Sequence, residues 1–128
     1  MRIALASVFV EDQSKALAFY TDVIGFRVKH DIAMGAFRWL TVESPEGVHG
    51  VELVLEPMAF EPARTFQQAL YDAGIPATAF MTDDIATEFA RLRDRGVVFR
   101  GEPQAMGPVT VALFEDTCGN LINLVQAA

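Results

Sequence analysis

Phe9-Val10-Glu11-Asp12, at the end of an apolar run, returns 72 positions later as Met81-Thr82-Asp83-Asp84. This echo decides the fold. After each aspartate the apolar residues take up helical spacing: Ala16, Leu17, Phe19, Tyr20 and Val23 in one copy, Ile85, Phe89 and Leu92 in the other. Asp12 or Ser14 is the expected N-cap of the first helix, and Asp84 plays the part of Asp12 in the second. Gly25 and Gly96, 71 positions apart, close the two helices.

Working outward, strands are expected over 3–10, 26–30, 37–43 and 51–56. They are expected again over 77–82, 97–99, 109–114 and 121–125. The order β-α-β-β-β therefore occurs twice. The two modules, about 1–57 and 76–128, are joined by a short helical connection around 63–72. No Gly/Ser-rich linker separates them, so 1–128 is expected to form one domain. The fold class that follows is α+β: tandem βαβββ modules forming a curved mixed β-sheet around a cup-shaped cavity, with helices outside.

Composition narrows the function classes. The net charge of −7 and the absence of Lys/Arg clusters exclude a nucleic-acid partner. No apolar run approaches the ~18 residues of a membrane span, so no membrane association is expected. The start of the chain lacks an h-region and cleavage site, and a single cysteine, Cys118, suits a reducing compartment. A cytoplasmic location is the expectation.

Two stretches carry a family resemblance. Residues 7–12, Ala18-Phe19-Tyr20 and Ile24-Gly25-Phe26 look like a strand, "D…FY" helix and "LGF" turn. Residues 114–122, FEDTCGNLI, look like a closing "F.DPDGN.I.L" hairpin. With the repeat, they resemble the vicinal-oxygen-chelate superfamily of glyoxalase I, extradiol dioxygenases, and fosfomycin- and bleomycin-resistance proteins. Catalytic members hold a divalent metal on the inner faces of the first and last strands of each module. The resemblance places the four ligand positions on Leu5, Glu52, Ala77 and Asn123. Leucine and alanine donate nothing, and a transition-metal site wants about three good donors. The metal ligands are not retained, and no metal or other cofactor is expected. His30 and His49, the only imidazoles, stand at none of these positions and are expected at the surface. An atypical metal site drawing on one of them stays open.

If the ligand register holds, the cavity is lined by Leu5, Ser7, Trp39, Glu52, Val54, Glu56, Ala77 and Asn123. Glu52 and Glu56 share one strand face, so mutual proximity and burial are expected to raise one pKa, making Glu52 a candidate general base. The alternative is Glu52 bonded to Asn123 or a backbone amide, and Glu56 at a strand end in water. Trp39 suits stacking on a flat ligand, or a core position. Thr110 is a second hydroxyl, after Ser7, that the cavity could use. Arg38 reads as a solvated strand-edge arginine, and Cys118 has no neighbouring cation to make it a nucleophile. Met34, Met58, Met81 and Met106 are expected to fill gaps or loops.

Three function classes follow. The leading one is a metal-independent small-molecule-binding protein of the glyoxalase/bleomycin-resistance type, for a cationic or planar ligand. The second is an enzyme, either a lyase or dioxygenase with an atypical metal site, or a metal-free acid/base catalyst using Glu52. The third is a non-catalytic partner protein. The resemblance also implies a homodimer.

Overall fold

The computed structural model describes all of residues 1–128 and divides the chain into two compact units, Met1–Thr65 and Phe66–Ala128. The first holds β1 (Leu5–Val10), α1 (Gln13–Ala18) continued by a π-helical turn (Phe19–Val23), β2 (Arg27–Met34), β3 (Phe37–Glu43) and β4 (Glu52–Pro57). Helix α2 (Glu61–Asp72) begins in the first unit and ends in the second. The second unit continues with β5 (Thr78–Met81), α3 (Ile85–Asp94), β6 (Gln104–Met106), β7 (Val109–Glu115) and β8 (Leu121–Ala127). The expected joint between modules, residues 58–75, is therefore mostly helix, and the division falls inside it.

Each repeat closes its own four-stranded mixed sheet, in the orders β1-β4-β3-β2 and β5-β8-β7-β6. In both, the first strand runs parallel to the last and the other neighbours are antiparallel. The repeated aspartates are the helix N-caps. Asp12 accepts the Lys15 N–H at 3.0 Å, and Asp84 accepts the Thr87 N–H at 3.1 Å and its hydroxyl at 2.6 Å. Gly25 and Gly96 take φ of 99° and 87°, the left-handed conformation that ends a helix cheaply only at glycine. The first copy has one more residue between aspartate and glycine than the second. The π turn takes up that residue, because a wider turn accommodates an insertion without breaking the helix.

One face of each sheet is dry. In the first, Val8, Val10, Leu40, Val42 and Leu55 are buried, as are Ala16, Phe19 and Tyr20 of the helical segment. In the second, Ala112, Phe114, Ile122 and Leu124 are buried, as are Ile85, Phe89 and Leu92 of α3. The Phe89 and Phe99 rings meet at 4.5 Å, and Phe99 lies 5.6 Å from Phe114.

Two strand expectations are corrected. The strand expected over 26–30 extends to Met34 and pairs with β3 down to the Gly35 turn, although its alternation is masked by exposed polar residues. The strand expected over 97–99 reduces to a single bridge, Phe99 to Phe114, and pairing resumes at β6, where none was expected. Gly101 at φ 143° and Pro103 interrupt the ladder between them.

One side chain of helix α1 makes three hydrogen bonds to the sheet. Gln13 donates to the Arg38 and Leu55 carbonyls at 2.8 and 2.9 Å and accepts the Arg38 N–H at 3.1 Å. Strands β3 and β4 pair directly only at Thr41 to Val54 and Val42 to Leu53. Beyond that the Gln13 amide satisfies backbone groups the ladder leaves open.

Candidate functional site

The other face of each sheet is the open one, and the site is built from its side chains. Strand alternation in the first sheet puts Leu5, Ser7 and Phe9, Glu52, Val54 and Glu56, Trp39 and Thr41, and His30 and Ile32 on that face. Register places Leu5 directly opposite Glu52, Ser7 opposite Val54, and His30 opposite Thr41. Val54 and Thr41 form a buried floor, while Leu5, Phe9, Ile32, Met34 and Phe37 are exposed.

A polar cluster sits in the middle of this apolar face. Thr41 donates its hydroxyl to Glu52 Oε1 at 2.7 Å, and His30 Nδ1 meets the same oxygen at 2.8 Å. The Thr41 oxygen in turn accepts the His30 backbone N–H at 3.1 Å. Donation from Thr41, reinforced by His30, outweighs partial burial and holds the Glu52 carboxyl below its ordinary range. Both expectations for Glu52 are corrected. Its pKa is lowered instead of raised, because donors aimed at the charged form stabilise it. Its bonds come from Thr41 and His30, where Asn123 or a backbone amide was expected. Glu56 accepts a long hydrogen bond from Ser7 at 3.4 Å.

His30 is the functional candidate that sequence reasoning misplaced. A bulge between Val28 and His30 shifts the register by one, turning the imidazole onto the open face beside Glu52. The signal was a histidine and a threonine eleven residues apart across a glycine turn, too weak to read without the pairing. His49 is in an exposed loop. Arg38 is on the opposite face and is not merely solvated. It forms a two-pronged pair with Asp31 at 2.9 and 3.1 Å and donates to Ser14 at 2.7 Å, lowering the Asp31 pKa.

In the second sheet, the open face carries Ala79 and Met81, Asn123 and Val125, Val111 and Leu113, and Gln104 and Met106. Asn123 is opposite Ala79; Ala77 lies just before β5, two residues earlier. Alternation gives Ala77 the same side. A concavity of about 310 Å³ opens there, its walls including Gly74, Pro76, Arg100, Gln104, Met106 and Asn123. Thr110 is on the opposite, helix-covered face, because it is one residue out of phase with Val111; it does not line this face. Met34, Met81 and Met106 fill no gap and are exposed, at 62%, 66% and 59%.

Beside this concavity, Glu115 accepts the Tyr71 hydroxyl and, at 3.4 Å, an N–H of Arg100, whose guanidinium lies 5.2 Å over the Tyr71 ring. The Glu115 carboxylate raises the Tyr71 pKa. The 116–120 turn is structural. Buried Asp116 accepts from the Cys118 and Asn120 N–H groups at 2.8 and 3.0 Å and from the Asn120 amide at 2.8 Å. Gln67 of α2 donates to the Cys118 carbonyl and to Asn120. Cys118 is buried.

A metal does not fit the inherited positions. Of Leu5, Glu52, Ala77 and Asn123, only Glu52 is a strong donor, and no group of three His, Cys, Asp or Glu side chains is suitably placed to hold an ion. His30 adds a second donor beside Glu52, still one short.

Two repeated βαβββ units, each with one open sheet face, define a class, and the chain belongs to it: the model of the Glyoxalase/Bleomycin resistance protein/Dioxygenase superfamily matches residues 2–124. Uncharacterized protein YurT of Bacillus subtilis (strain 168) is 49% identical over 98% of this chain and 99% of its own length. Among solved structures, UcmS2 is similar at TM-score 0.83 and 32% identity, covering 98% of this chain and 97% of that one. TnmS3, an antibiotic-binding protein from Streptomyces sp. CB03234, is similar at TM-score 0.79 and 31% identity, covering 100% and 97%. No helix is long and apolar enough to cross a membrane.

Proposed function

We propose that this chain is a metal-independent small-molecule-binding protein of the antibiotic-binding kind, acting in the cytoplasm as a homodimer. One observation carries the reading: on each open face a polar side chain is in register with an aliphatic one, Leu5 opposite Glu52 and Ala79 opposite Asn123. Such a face offers apolar area with a few fixed polar groups, which suits an organic ligand better than an ion. The similarity to an antibiotic-binding protein supports it. In this reading Leu5, Ser7, Trp39, Glu56 and the Glu52–His30 pair hold the ligand over a floor of Val54 in the first repeat, and Ala77 and Asn123 line the corresponding open face of the second repeat. The ligand is planar and largely apolar. The Glu52 charge is already met by two donors, which weakens the case for a cation there, and Glu56 is the better cation partner.

The test has two stages. Metal analysis of protein purified without chelator, with thermal shifts in divalent ions, is expected to show substoichiometric metal and little stabilisation. Stoichiometric metal with a large shift overturns the reading in favour of a metal-dependent lyase or dioxygenase. A thermal-shift screen of planar aromatic compounds, cationic and neutral, beside small α-keto acids and diols, follows. A true ligand at 100 times its Kd stabilises by ~2.7 kcal/mol. No stabilisation by any compound favours the partner-protein reading. Light scattering is expected to give twice the chain mass.

A further inference from the structure

The geometry points to His30 as the ligand-recognising acceptor of the first sheet: its Nε2 takes a hydrogen bond from a phenolic hydroxyl on a flat ligand, with Glu52 as the residue that positions it. This inference rests on the small-molecule-binding reading and names the ligand class.

The hydrogen bonds around the ring place a proton on Nδ1. The Thr41 hydroxyl donates its single proton to the Glu52 oxygen at 2.7 Å. His30 Nδ1, at 2.8 Å from the same oxygen, must then carry its own proton. The 3.3 Å approach of Nδ1 to the Thr41 oxygen is a secondary contact to the same donor. A neutral imidazole protonated at Nδ1 has a bare lone pair at Nε2. Nε2, across the ring from Nδ1, makes no hydrogen bond, and the side chain is 42% exposed. Carboxylate contact at Nδ1 also makes Nε2 a better acceptor.

The surroundings select the donor. Register places Trp39 beside Ile32, the next same-face pair along β2 and β3 from His30 and Thr41, and Leu5 opposite Glu52. The acceptor therefore stands in an apolar setting with an indole nearby, where a flat ring gains burial and stacking. A carboxylate ligand is disfavoured, because it offers no proton and brings a second negative charge near Glu52. A bare cation would compete with Thr41 and His30 for one oxygen. A neutral aromatic hydroxyl satisfies both the lone pair and the apolar walls.

The test needs no natural ligand. Two-bond ¹H–¹⁵N correlation spectra of the full chain are expected to show His30 protonated at Nδ1 and bare at Nε2, and Glu52→Ala is expected to lose that fixed tautomer. Titration with 2-naphthol, and with its methyl ether 2-methoxynaphthalene, then reads recognition. The naphthol is expected to bind about tenfold more tightly and to move the His30 Nε2 resonance. His30→Phe, which keeps a flat ring but no acceptor, is expected to equalise the two. Equal affinities in the unaltered protein, or a preference that survives His30→Phe, overturn the inference and leave the small-molecule reading standing. A ring protonated at Nε2 overturns it before any ligand is added. Binding of neither compound also overturns it. If the general screen finds no ligand either, the small-molecule reading falls with it.

Discussion

At the scale of single residues, Glu52 shows how neighbours set the chemistry of a side chain. A glutamate two positions from another glutamate on one strand face reads as a candidate for a raised pKa. Thr41 and His30 reverse that by donating to it. A carboxyl held low in the folded protein contributes stability in full above its unfolded value, near ~4.3, and loses it as pH falls through the folded value. Thermal melts between about pH 3 and pH 7 are therefore expected to show a destabilisation on acidification that Glu52→Gln reduces. An unchanged pH profile in Glu52→Gln would show that the cluster adds nothing to stability. Asp31, lowered by Arg38, acts in the same direction but is on the other face of the sheet.

At the scale of elements, the two helices are docked by different devices on the same plan. α3 starts on the Asp84 cap, and its Ile85 N–H is taken by Gln126 of β8 at 2.8 Å. α1 starts on Asp12, and Gln13 bridges the backbone where β3 and β4 part. Removing a cap leaves an amide to water, at ~1 kcal/mol. Removing Gln13 leaves two carbonyls and an N–H part-buried without that partner, at ~1–3 kcal/mol. Urea denaturation is thus expected to rank Gln13→Ala as more damaging than Asp84→Ala. The reverse order would mean that water replaces the Gln13 amide without loss.

At the scale of the whole molecule, each unit is about half of a 128-residue chain. Domains near 60 residues bury a smaller fraction of their surface than larger ones and are marginal alone. Helix α2 also runs through the division between the units, giving neither a free terminus there. We expect calorimetry to show one unfolding transition, with van't Hoff and calorimetric enthalpies equal. Two resolved transitions would show that the repeats fold independently.

The sequence by itself determined the repeat, the helix caps and the β-α-β-β-β succession of elements along each copy. These depend on local signals, aspartate before and glycine after a periodic apolar run, that act over a few residues. The family resemblance carried by its motifs placed two ligand positions on Leu5 and Ala77, whose side chains donate nothing. Only the tertiary structure decided the partners of Glu52 and the place of His30. A one-residue bulge in β2 sets which way that imidazole turns, and bulges follow from strand pairing across the sheet. The same holds for β6, where Gly101 and Pro103 displace the pairing by several residues. Alternation along a single strand cannot show such shifts, because the neighbouring strand fixes the register.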